Sequence, residues 1–151
     1  MIDWAAYLKT GLLKEQMPNL RQIERQILRA QKDLKTFYLV ERADPEWASA
    51  IAYQAILRAG RALLFSYGYL PSERQQHKTV VELTGKILGP RSSLVIRYFD
   101  RLRKKRNVFF YDSDDPRNFT EAKKAIEVAG ELLAEIKGRI KALNPQDEFR
   151  F

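Results

Sequence analysis

The chain has 151 residues, 45% of them apolar and 30% charged, with a formal charge of +8 at neutral pH. That length suits one domain around a single core, and the composition is that of an ordinary globular protein. The absence of cysteine excludes disulfides, thiolate nucleophiles and zinc–thiolate sites, while the positive excess points to an acidic partner: nucleic acid, nucleotide or an acidic protein surface.

Helical periodicity runs almost from end to end. The opening MIDWAAYLKTGLLKEQ has no basic segment leading into an apolar core, so no secretory leader is expected. Trp4, Ala5 and Leu8 predict a short first helix ending near Gly11. After Pro18, Ile23, Ile27, Ala30, Leu34 and Phe37 mark one face of a long second helix, with Arg21, Arg25, Arg29 and Lys32 on the other. Asp44 and Pro45 supply a cap and a first-turn proline for a third helix. Its stripe of Trp47, Ile51, Ala55, Ala59 and Ala62 would let a neighbour approach closely, and Gly68 and Pro71 close it. Ser72 and Glu73, then His77, Val80, Val81 and Leu83, predict a shorter fourth helix stopping between Gly85 and Gly89. A fifth is expected from Pro90 to Phe110. A capping loop, YDSDDPRN, leads into a last helix carrying Ala122, Ile126, Ala129, Leu133, Ile136 and Ile140.

From Asn144 the tail is polar and expected to fray. Only VFFY reads as strand, too short and isolated to pair. The expected fold is therefore all-α: an antiparallel four-helix up-and-down bundle with one or two short extra helices, spanning residues 1–143, with a polar tail at 144–151. No apolar run nears the roughly 18 residues of a membrane span, so no membrane association and a cytoplasmic location are expected.

The chemistry concentrates in RLRKKRNVFFY, Arg101 to Tyr111. Val95, Tyr98, Phe99 and Leu102 recur at helical spacing, and the same face continues to Arg106 and Phe109. Arg106 thus falls on the packing side, where a permanent cation needs a partner or a cleft, while Arg103, Lys104 and Lys105 point elsewhere. The apolar Phe109, Phe110 and Tyr111 would be covered by a second subunit or by the bundle itself. Asp112, Asp114 and Asp115 lack EF-hand spacing. Asp115 before Pro116, or Asn118 with Glu121, reads as the cap of the last helix. No phosphate-cradling glycine loop is present. With His77 the lone histidine, no two-histidine metal site can form in one chain. Tyr53 reads as core, and His77 as a helix-start residue bonded to a neighbouring turn.

The order of these pieces resembles the HEPN family of small helical bundles. The matching segments are QIERQILRAQKDLKTF, AIAYQAILRAGRALLFSYGY, HKTVVEL and LRKKRNVFFYD before a terminal helix, covering roughly residues 20 to 142. Catalytic members carry an arginine, usually followed by a polar residue, and a histidine after four more positions. Arg106 and Asn107 fit that pattern, but the histidine position is Tyr111. The resemblance implies a homodimer whose two motifs share a cleft, metal-independent and without a cofactor, often a toxin paired with a minimal nucleotidyltransferase. Arginine would hold the scissile phosphate while histidine moves the ribose 2′-hydroxyl proton. Tyrosine in that place, with a reference pKa near 10, puts the ionised form about 4 kcal/mol out of reach at pH 7.

The expectation is therefore a HEPN-like nucleotide- or RNA-binding domain with nuclease activity weak or lost. Its motif residues are Arg106, Asn107 and Tyr111, and its ligand-binding residues are Arg101, Arg103, Lys104, Lys105 and His77. Two alternatives stand beside it: an active metal-independent ribonuclease toxin in which Tyr111 or His77 serves as base, and a non-catalytic module that docks on an acidic protein.

Overall fold

The computed structural model describes residues 1–106 and 117–151. Its elements in order are α1 (Trp4–Lys9), β1 (Leu13–Glu15), α2 (Leu20–Val40), α3 (Pro45–Ser66), β2 (Tyr69–Pro71), α4 (Gln76–Leu88), a 3-10 turn (Pro90–Ser92), α5 (Ser93–Lys105) and α6 (Arg117–Leu143). The protein is an all-α helical bundle with one small sheet. Among the described residues no helix is long and apolar enough to cross a membrane.

Local chemistry explains most boundaries. Asn19 caps α2 by accepting from the Gln22 amide at 3.1 Å, and Asp44 caps α3 by accepting from the Trp47 amide at 3.0 Å. Pro45 occupies the first turn of α3, where it removes no helical hydrogen bond. The four residues between α2 and α3 leave them antiparallel neighbours.

Helix α3 is the centre of the molecule, packed by α2, α6 and α4. Its buried apolar set begins with Ala48, Ala52, Tyr53, Ala55 and Ile56 rather than with Trp47, which is exposed. The expected stripe is therefore offset by one residue at its start. A helix covered on several sides buries most of its circumference, so a single stripe does not describe it. Small residues set how closely α4 comes: a Cβ on Gly60 would lie 2.6 Å from Val80 Cγ1 and 2.9 Å from Thr84 Oγ1. Helix α6 follows its sequence pattern, burying Ala122, Ile126, Ala129, Leu133, Ile136 and Ile140.

Four expectations need correction. Strands β1 and β2 pair antiparallel, Lys14 opposite Leu70, and Trp4 stacks on Tyr69 at 4.5 Å. Three-residue strands are too short to show an alternating pattern. Because Tyr69–Pro71 is committed to that ladder and the Ser72 amide donates to Leu12 O, α4 cannot start at Ser72. It begins at Gln76, after Gln75 in the left-handed region at φ 52. Helix α5 proper begins at Ser93, with Pro90 spent in the 3-10 turn. Finally, the tail folds back: Phe149 and Phe151 stack at 4.7 Å against the core, and Arg150 grips Glu24 through its amide and guanidinium at 2.8 Å. Two aromatic rings and one charge-assisted clasp outweigh the polar composition.

Candidate phosphate-binding site

The site forms where the end of α5 meets α3 and the first turn of α4. Tyr53 and Arg61 lie eight residues apart on α3, about two turns, so they share a face. His77 enters from the opening turn of α4. Phe99 and Leu102 bury one face of α5, and that face continues into Arg103 and Arg106 at its end.

The Tyr53 hydroxyl and His77 Nδ1 are 2.7 Å apart, and the phenol ring is 2% exposed. Burial pushes the Tyr53 phenol up to about 12, against the pull of Arg106, Arg103 and Arg61. Burial also pushes the His77 imidazole below its ordinary value, and the same three guanidiniums push it further, Arg106 first. Both groups are therefore neutral at physiological pH. In the tautomer that carries the imidazole proton on Nε2, the phenol donates to Nδ1. Nε2 has no hydrogen-bond partner among the described residues.

The three arginines are held by neutral groups as much as by charge. Arg61 donates to Gln76 Oε1, and its Nε is buried without a partner among the described residues. Arg106 donates from a terminal nitrogen to the Arg103 carbonyl at 2.6 Å. Only Arg103 has a carboxylate, Asp100, at 2.8 Å. Among the described residues no carboxylate pairs with Arg61 or Arg106. Among the described residues the result is a positive locus, served by one carboxylate, with two neutral hydrogen-bonding groups inside it.

The rest of the basic segment is arranged differently. Arg101 lies 3.9 Å from Glu121 and 5.8 Å from the Tyr98 ring centre, while Lys105 bonds Glu121 at 2.8 Å. Lys104 reaches Asp100 at 3.0 Å. Burial alone would raise the Asp100 carboxyl, but Arg103 and Lys104 bring it below the usual range. The expectation that Arg103 points away from the packing face fails: its side chain is only 17% exposed and its charge acts on both Tyr53 and His77. Residue 103 falls four after the buried Phe99, on the same face.

Arg103, Arg106 and His77 are thus brought together, whereas Arg101, Lys104 and Lys105 are tied to α5 and α6 carboxylates. Asn107, Tyr111, the aromatic run Phe109–Phe110 and the acidic Asp112, Asp114 and Asp115 lie outside the described residues. Asn118 sits within α6 rather than capping it with Glu121; its amide donates to the buried Glu46 at 2.6 Å. Sequence reasoning missed Arg61 and took Tyr53 for plain core. The available signal was a tyrosine and an arginine about two turns apart on an alanine-rich helix. No cluster of three or more metal-binding side chains exists among the described residues.

Neither a curated protein nor a solved structure matches the chain significantly. The family model of the HEPN domain matches residues 23–139. That span runs from the first turn of α2 nearly to the end of α6 and holds every residue of the arginine locus, so the chain belongs to the HEPN domain family.

Proposed function

We propose that this HEPN chain binds the phosphate groups of RNA or a nucleotide, with ribonuclease activity weak or lost. In this reading it acts as a homodimer beside a minimal nucleotidyltransferase. The observation that carries the reading is the convergence of Arg61, Arg103 and Arg106 around the Tyr53–His77 pair, with a carboxylate from the described residues on one of the three. Guanidiniums kept at close quarters without counter-charge are stabilised by a phosphate, which accepts charge-assisted, often bidentate hydrogen bonds. Arg106 supplies the main contact, and His77 Nε2–H adds a neutral donor of fixed direction.

The same arrangement argues against His77 as a base. In the tautomer protonated on Nε2, its one free lone pair, on Nδ1, is occupied by the Tyr53 phenol. A general base needs an open lone pair in reach of the 2′-hydroxyl. With tyrosine where catalytic members have histidine, no group near neutral pKa remains to move that proton. Phosphate binding survives these changes; rapid cleavage does not.

Fluorescence anisotropy with a labelled single-stranded RNA, titrated with salt, tests the reading. Wild type should bind with an affinity that falls as salt rises, since each phosphate contact releases counterions. Arg106→Ala should lose most of that affinity, and the RNA should stay intact with either protein. Salt-independent binding, or none, would favour a module that docks on protein; rapid cleavage abolished by Arg106→Ala would restore the ribonuclease.

A further inference from the structure

Outside the arginine locus, the hairpin of α4 and α5 opens into a groove of about 810 Å3. The two helices touch at one level, where a Cβ on Gly85 would lie 2.9 Å from Ile96 Cγ2. They turn through Gly89, at φ +87, into the 3-10 turn, so they run antiparallel. Lys78 on α4 consequently faces Arg103 and Lys104 on α5, and Lys86 faces Arg97. These are two rungs of positive charge eight residues apart along α4, about 12 Å.

Five cations line the groove against two carboxylates, Glu82 and Asp100. Both acids are already engaged. Glu82 accepts from the Tyr7 hydroxyl and pairs with Lys86 at 3.2 Å, and Asp100 holds Arg103 and Lys104. They orient the cations rather than block the groove. Lys78 and Arg97 have no carboxylate partner among the described residues. Val81 and Ile96 give the floor an apolar strip, and among the described residues no aromatic ring lines it. A base would find nothing to stack on there, while a charged backbone would find cations at two levels. The first rung is also continuous with the phosphate locus, because the Arg103 whose charge acts on His77 is the Arg103 that lines the groove.

We propose that the α4–α5 groove is a sequence-tolerant track for the backbone of single-stranded RNA. The strand would leave the arginine locus at Arg103, pass Lys78 and Lys104, and reach Lys86 and Arg97 at the hairpin end. The inference rests on the phosphate-binding reading above and extends it from one phosphate to a strand.

The test compares an oligouridylate long enough to span both rungs with a uridine dinucleotide confined to the arginine locus. The proteins are wild type, the Lys86→Gln/Arg97→Gln double variant, and Arg97→Glu alone. Arg97 is exposed and without an ion pair, so the single variant folds even if the loss of Lys86 beside Tyr7 and Glu82 is poorly tolerated. The long RNA should bind the double variant about tenfold more weakly, with a salt slope shallower by roughly 1.4 for two lost contacts. The dinucleotide should be unaffected. Long RNA that binds both variants as it binds wild type, yet depends on Arg106, would overturn the track and leave the phosphate locus standing. Absence of any RNA binding by wild type would overturn both. An acidic peptide that binds the groove more tightly than RNA of equal charge would give it to a protein partner and overturn the RNA track.

Discussion

Two neighbouring arginine clusters share α3, through Arg58 and Arg61, and they are built on opposite plans. In one, Asp33 of α2, 8% exposed, is met by Arg29 at 3.1 Å and Arg58 at 3.3 Å. There the buried charge is the acid, and cations are recruited to neutralise it within the fold. In the neighbouring cluster Arg61, Arg103 and Arg106 surround two neutral groups, and among the described residues one carboxylate serves the three. The first cluster is closed and gains nothing from an external ion. The second holds like charges together at a cost that an arriving phosphate reverses. Substitutions in the first should therefore move stability, and in the second, binding.

The largest effect should come from Arg106→Ala. Loss of charge-assisted phosphate contacts is worth about 2 kcal/mol, roughly thirtyfold in RNA affinity. Thermal stability should hold or rise slightly, because one of three repelling cations is gone; a clear fall in Tm would mean the residue is structural. Asp33→Ala should show the reverse, a stability loss of about 1–2 kcal/mol by denaturant titration as two half-exposed guanidiniums lose their partner, with RNA affinity unchanged. Reduced affinity there would break the contrast between the clusters.

Tyr53→Phe is subtler. It removes one buried hydrogen bond, about 1 kcal/mol of stability, and frees Nδ1 of His77. Nitrogen NMR should find wild-type His77 neutral and protonated on Nε2, and the variant in a mixture of tautomers. A mixture already present in wild type would remove the fixed donor.

The smallest effect is a pH dependence. Because the His77 pKa is lowered on folding, the unfolded chain binds the proton more readily. Stability should therefore decline as pH falls below the ordinary histidine value near 6.5, level off once the folded His77 has also titrated, and lose this component in His77→Gln. A His77 titration above that value would contradict the picture of a burial-depressed imidazole crowded by guanidiniums.

The helices were legible because each carries its own punctuation: Asn19 and Asp44 as caps, Pro45 as a first-turn residue, and an apolar stripe on α6 that fits one face. The β1–β2 ladder was not, since it joins residues more than fifty positions apart in strands too short to alternate. At the site, Arg106 and His77 stood out by type. Arg61 and Tyr53 did not, because their role depends on α4 and α5 arriving at the same face of α3. The docking of Phe149 and Phe151 was hidden for a related reason: a polar tail with two aromatics reads as tail until a surface for the rings is known.

The most direct trial of the account is the salt dependence of single-stranded RNA binding, measured side by side for wild type and Arg106→Ala. Wild-type affinity should fall steeply with salt, and the variant should bind weakly with a shallower slope. Equal binding by the two proteins, or wild-type binding indifferent to salt, would contradict it.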